Sequence, residues 1–120
     1  MSFKVIIAGG REFDNYKQLC EVCDHMLQNK TNIEVVSGVA RGADTLGEKY
    51  ANERGYAIRR FPADWDKHGL GAGHIRNEQM AKYGDALIAF WDGSSKGTKN
   101  MIEVARTNDL QLKVEIYQKK

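Results

Sequence analysis

VVSGVARGAD, residues 35–44, opens as an apolar run, breaks at Gly38 and Gly42, and continues into a helical pattern that closes at Gly55. A strand that ends in a glycine-spaced turn and feeds straight into a helix is half of a βα unit. The same alternation extends in both directions. FKVIIA (3–8), IEVVS (33–37) and DALIAFW (85–91) are nearly continuous apolar runs, as expected of strands covered by helices on both faces. YAIRRF (56–61) and LKVEIY (112–117) alternate apolar with polar residues, which suits the borders of a sheet. Between them, helices are expected over 15–30, opened by Asn15 and Gln18 as a capping pair, and over 43–54, 74–83 and 97–109. With right-handed crossovers, this βαβαβαβαβ order predicts an α/β, three-layer, Rossmann-like domain over residues 1–120, with a parallel five-stranded sheet in the order 3-2-1-4-5.

Composition agrees with one compact domain. The chain has 120 residues, 42% of them hydrophobic, and a single proline. Its 18 basic and 16 acidic residues are spread along the chain, so the net charge of +2 implies no polybasic tail. No apolar run approaches the roughly 20 residues of a membrane span, and a cytoplasmic protein without a membrane partner is expected. Cys20 and Cys23 form a C-x-x-C, but they fall in a stripe with Leu19, Val22, Met26 and Leu27 and read as helix packing. The histidines supply no ligand spacing, so neither a metal nor a tightly held cofactor is expected.

Ligands of such sheets bind beyond the carboxyl ends of the strands, near the reversal of strand order. Of the twelve glycines, all but Gly47, Gly55 and Gly84 fall on that edge. Strand one ends in Gly9, Gly10 and Arg11, strand two in Ser37 and Gly38, and strand four in Trp91, Asp92 and Gly93, with Ser95, Gly97 and Thr98 following. PADWDKHGLGAGH after strand three reads as a long loop. Glycines expose backbone amides to an anion, and a following helix adds partial positive charge. The turn at 38–42 is therefore suited to phosphate. Ser37 is placed to donate a hydroxyl hydrogen bond, and Arg41 either reaches the phosphate or lies in solvent. Asp44 either caps its helix or accepts from a ribose or base. A branched residue at Gly42 is expected to remove ligand binding from a protein that still folds.

GSSKGTK (93–99) lacks the Walker spacing, and G-x-G-x-x-G is absent. Taken together, however, IAGGR, SGVARGAD, GHIRNEQM and DALIAFWDGSSKGT resemble the YspA-type branch of the SLOG superfamily of Rossmann-like nucleotide-binding domains, over almost the whole chain. The resemblance implies a nucleotide-derived phosphorylated ligand and a homodimer or higher homo-oligomer. Two relatives imply different activities. SGVARGAD is similar to a turn of the DNA-processing protein A (DprA) family, which implies a single-stranded DNA-binding module. IRNEQMAKYGDALIAFWDGSSKGT is similar to the Lonely Guy phosphoribohydrolases, which implies N-glycosidic cleavage of a nucleoside monophosphate.

Carrying over the enzyme motif assigns Arg76, Asn77 and Met80 to its first block and Gly93, Gly97 and Thr98 to its second. Met101 then stands where that family has its catalytic glutamate, and Glu103 lies two residues further round the helix. Glycosidic cleavage needs a carboxylate, so binding is the expected activity. Asp92 is the carboxylate able to replace it, with Arg76 as its partner, unless Asp92 only initiates the turn. Arg76 is expected to hold phosphate, its alternative being a surface ion pair with Glu12 or a loop aspartate. Trp65, Trp91 and Phe13 are candidate platforms for a base, Trp65 otherwise serving as a clasp for its loop. Acidic Glu12, Asp64, Asp66 and Asp92 alternate with Arg11, Lys67 and Arg76, which suits a compact ligand better than a long phosphate backbone.

Overall fold

A computed structural model describes residues 2–118. Five parallel strands form one sheet in the order β3-β2-β1-β4-β5: β1 (Phe3–Gly9), β2 (Ile33–Ser37), β3 (Ala57–Arg60), β4 (Ala86–Trp91) and β5 (Gln111–Ile116). Helices α1 (Tyr16–Leu27) and α2 (Ala43–Arg54) connect the first three strands. Then α3 (Trp65–His68), a 3₁₀ turn at Gly69–Gly71 and α4 (Ala72–Tyr83) lead across to β4, and α5 (Lys96–Thr107) leads to β5.

The alternation of side chains along the central strands creates the layers. Val5 and Ile7 of β1, Ile33 and Val35 of β2, and Ile88 and Phe90 of β4 pack on one face with Leu19, Cys23 and Leu27 of α1 and Tyr50 of α2. Ile6, Ala8, Val36, Leu87 and Ala89 face the other way, against Met80 and Ala81 of α4 and Met101, Ile102 and Ala105 of α5. Burying each large side chain contributes roughly 1.5–3 kcal/mol, which is why these strands read as unbroken apolar runs. β3 and β5 have one neighbour each, and neither contains a fully buried residue. Cys20 and Cys23 are unbridged, and burial pushes the Cys23 thiol well up, as suits a packing residue. No described helix is long and apolar enough to cross a membrane, and no cluster able to hold a metal occurs among the described residues.

Three local expectations need correction. Helix α1 stops at Leu27 rather than 30, and only half of its capping pair forms: Asn15 Oδ1 accepts from the Gln18 amide (3.0 Å), while the Gln18 side chain reaches Glu115 instead. The segment after β3 is not one loop, because Asp64 Oδ1 accepts from the Lys67 amide (3.1 Å) and starts α3. Helix α4 begins at Ala72, so Gly73 is helical. Gly47 has a role that turn chemistry does not suggest: a Cβ there would stand 2.8 Å from the Ile7 side chain, so the glycine lets α2 lie directly on β1.

Candidate functional site

The strand order reverses between β1 and β4, and the helices following β1 and β4 lie on opposite faces of the sheet. Beyond the carboxyl ends of those strands opens a cleft of about 610 Å³. The turn after β1 supplies Gly9, Gly10 and Arg11. The turn after β2 supplies Arg41 and the first turn of α2 supplies Asp44, α3 and α4 supply Trp65, Arg76 and Asn77, the turn after β4 supplies Asp92 and Ser95, and the first turn of α5 supplies Gly97 and Thr98. A second cleft of about 440 Å³ adjoins it, bordered by Gly38 and Pro62 and sharing Arg11, Arg41, Trp65 and Arg76 with the first. Most of the residues singled out in the sequence thus come together.

Ser37, Gly42, Trp91 and Gly93 line neither cleft, and neither do Phe13 or the loop charges Asp64, Asp66 and Lys67. Ser37 is buried, its hydroxyl donating to Glu48 (2.7 Å) and accepting from the Val39 amide (3.1 Å), so it holds its own turn. Trp91 shares the parity of Leu87 and Ala89, packs toward α4 and α5, and donates its indole N–H to the Ser95 carbonyl (3.0 Å). Phe13, the third candidate platform, is buried in a stack on Phe90 with Tyr117 against its edge. Of the three aromatic candidates, Trp65 is the one on the cleft, with half its surface exposed.

Gly42 also differs from expectation. Its φ is +81°, and a Cβ there would overlap the Gly10 carbonyl and stand 2.7 Å from the Arg11 Cα. The glycine is needed here because two turns touch. Beside it, Asp44 is 5% exposed and lies beneath the 38–42 turn, accepting from the Ala40 amide (3.2 Å) and from that of Gly38. It ties the turn down rather than capping α2, whose N-cap is Gly42. Burial pushes its carboxyl up to about 6, against the opposing influence of those amides and of Arg76.

Arg76 is not in a surface ion pair. Its guanidinium donates to the Gly38 carbonyl and to Asn77 Oδ1 (3.0 Å), with Asp44 as a nearby countercharge. Asn77 passes the connection on by donating to Asn100 (2.9 Å) on α5. Burial lowers the Arg76 pKa, and the charge of Arg11 lowers it further, so two cations bear on one another across the cleft. Asp92 Oδ1 accepts from the Ser94 (2.9 Å) and Ser95 (2.8 Å) amides, which shapes the turn after β4 while keeping the carboxylate on the cleft wall. Met101 lines the cleft and Glu103 points to solvent, as their helical spacing implied.

Of the cleft residues that the sequence did not single out, Tyr117 is the one with a polar side-chain atom buried at the site. Tyr117 follows β5 and lines the cleft beside Gly10. Its position on the carboxyl edge was the available signal, but the alternation of LKVEIY marks it as the last residue of a border strand.

The model of the YspA, cpYpsA-related SLOG family matches residues 3–68. The Gene 61 protein of Mycobacterium phage D29 is 31% identical over 110 residues, an alignment covering 86% of this chain and 88% of that protein.

Proposed function

The chain belongs to the YspA, cpYpsA-related SLOG family, and from that premise we propose that it binds, as a single domain, a nucleotide or nucleotide-derived phosphorylated ligand in the cleft between the β1 and β4 turns. The observation that carries this reading is the convergence of Arg11 and Arg76. A buried guanidinium weakened by a second one is relieved when an anion lies between them. The starts of α2 and α5 border the same space and favour negative charge there. Glu12, Asp92 and Trp65 line it too, which gives the ligand's uncharged parts hydrogen-bond acceptors and an aromatic surface.

Binding without turnover is the favoured activity. Met101 offers no carboxylate, and Asp92 is engaged with the amides of its own turn. Incubation with nucleoside monophosphates is expected to release no free base. Multiple-turnover release that is lost in Asp92→Asn would establish the phosphoribohydrolase reading instead. Single-stranded DNA is expected to bind weakly and with steep salt dependence, tight length-dependent binding at physiological salt being the outcome that favours the DNA-binding module. Self-association as a homo-oligomer is part of the proposal. Leu70, fully exposed, and the partly exposed Ile75 offer apolar surface for it, and sedimentation velocity tests it.

The direct experiment is native mass spectrometry of protein purified from its host, which is expected to reveal a co-purified nucleotide. Arg11→Ala should weaken that nucleotide's binding by roughly 1.5–3 kcal/mol, the worth of a charge-assisted contact. Arg11 is the better position for the test because Arg76 also holds the Gly38 carbonyl. Unchanged affinity in Arg11→Ala would locate the phosphate elsewhere.

A further inference from the structure

The Tyr117 hydroxyl is buried and, among the described residues, has no hydrogen-bond partner. Buried hydroxyls are rarely left so, because desolvation goes uncompensated. Its ring is fixed by the edge contact with Phe13 (5.0 Å between centroids), and its backbone N–H donates to the Trp91 carbonyl (3.0 Å). The hydroxyl is thereby held over Gly10, where any Cβ would overlap it. Burial and the nearby charges of Asp92, Glu12 and Asp14 disfavour the phenolate, so the group stays a neutral phenol able both to donate and to accept.

The cleft therefore has two chemically different parts. Arg11, Arg41 and Arg76 border the part that adjoins the second cleft, whereas the Tyr117 phenol, with the carboxylates of Asp92 and Glu12 acting on it, borders only the first. Carboxylates accept hydrogen bonds from uncharged hydroxyls and repel phosphate, and a phenol complements either role. Gly10 and Arg11 are consecutive, so a phosphate held by Arg11 brings the group esterified to it close to Tyr117. In a nucleotide that group is the sugar, and the base lies beyond it.

We propose that Tyr117, Asp92 and Glu12 form a subsite for the vicinal hydroxyls of a ribose, making the ligand class ribonucleotides rather than deoxyribonucleotides. The inference rests on the nucleotide reading above and adds a selectivity to it. Tyr117 acts as a specificity-determining residue, and Gly10 is the position that lets its hydroxyl reach the cleft floor.

The test is titration calorimetry of the full chain against the four common ribonucleoside 5′-monophosphates, their 5′-diphosphates and the matching 2′-deoxy compounds, for wild type and Tyr117→Phe, with urea unfolding of both unliganded proteins. Tyr117→Phe keeps the ring and its contact with Phe13, so the unliganded variant is expected to be at least as stable as wild type. A wild-type preference for ribose of tenfold or more, reduced severalfold in Tyr117→Phe, supports the subsite. Equal binding of ribo and deoxy forms overturns the subsite and leaves the nucleotide reading standing. A clear fall in the stability of unliganded Tyr117→Phe also overturns it, because the hydroxyl then serves the fold. Binding of none of these nucleotides overturns the subsite as stated, and the nucleotide reading then falls only if no nucleotide-derived compound co-purifies with the protein.

Discussion

Gly9, Gly10, Gly38 and Gly42, at the carboxyl ends of β1 and β2, differ from Gly69, Gly71, Gly93 and Gly97, which follow α3 and β4, in what surrounds their α-carbons. Among the first four, a Cβ at Gly9 would overlap the Phe90 carbonyl, and at Gly42 the Gly10 carbonyl. At Gly38 it would stand 2.7 Å from the Arg76 guanidinium and 2.8 Å from the Asp44 carboxylate. Nothing lies within 4 Å of a Cβ placed at any of the second four. One residue type thus recurs along the carboxyl edge of the sheet for two reasons. In the first group it lets turns and side chains interlock, and in the second it faces open space, with Gly97 the member that lines the cleft. The interlocked side positions Arg11, Arg76 and Asp44; on the open side Gly69 and Gly93 still need a positive φ, and Gly97 is where a substitution can report on the ligand without disturbing the fold.

The strongest way to break this contrast is at Gly42. Gly42→Val would drive a branched side chain into the Gly10 and Arg11 backbone at a φ that L residues rarely adopt. It is expected to cost more than about 4 kcal/mol, a large fraction of the stability of a small domain, and to leave little folded protein. Circular dichroism and urea unfolding read this directly. A well-folded Gly42→Val that loses only its ligand would show that the turn serves the anion after all, and the packed side would have to be redefined.

A smaller effect is expected from Asp44, which the packed side holds beneath its turn. Its folded pKa of about 6 lies above the 3.8 of an unperturbed carboxyl. The folded protein therefore binds this proton more tightly than the unfolded chain, and stability from this group is lost as pH rises through about 6. Lowering pH from 7 to 5 is expected to stabilise the protein by roughly 1 kcal/mol. Asp24 and Glu48, paired with Arg54 and Arg60, have lowered values and act oppositely, with their losses falling mainly below that window. Urea midpoints at the two pH values test this, and Asp44→Asn is expected to flatten the difference. The same slope in Asp44→Asn would assign it to another group.

The two sides were not equally legible in the sequence. Strand order and the three-layer fold followed from apolar period, and glycine position marked the carboxyl edge, because those signals are local along the chain. The reason for each glycine was not legible. Gly42 and Gly97 look alike as turn glycines, and only their neighbours across the cleft, Gly10 and Arg11 for one and open space for the other, tell them apart. Trp91 and Trp65 show the same limit. Both follow apolar or turn signals near the edge, but strand parity sends Trp91 toward α5, where its indole holds the Ser95 carbonyl. Tyr117 escaped because nothing in LKVEIY says that its hydroxyl will end over Gly10.

Val39 sharpens the contrast at lower amplitude. It sits in the packed turn with φ +61° and 48% exposure, a left-handed conformation that is unfavourable for a β-branched residue. The two other described non-glycine residues with positive φ are Asn32 and Asp109, types that tolerate this region. Interlocking at Gly38 and Gly42, with the Val39 amide donating to Ser37, keeps Val39 strained. Val39→Asn is expected to raise stability by about 1 kcal/mol through release of that strain. A lowered urea midpoint would mean that the valine side chain contributes contacts that outweigh its backbone.

The smallest stability effect is expected at Gly97, on the open side. The residue lies in the first turn of α5 and lines the cleft, and a Cβ there would meet no atom within 4 Å. Alanine is the better helix former, so Gly97→Ala should change stability by less than about 0.5 kcal/mol, with stabilisation the favoured sign. Its methyl group nevertheless narrows the wall where the start of α5 offers its amides to an anion. Affinity for the co-purified nucleotide is therefore expected to fall about tenfold, or ~1.4 kcal/mol. Gly42→Val and Gly97→Ala then separate the two uses of glycine, one acting through folding and the other through binding at constant stability. A Gly97→Ala variant with unchanged affinity would show that the ligand's charged group stays with Arg11 and Arg76 and does not reach α5.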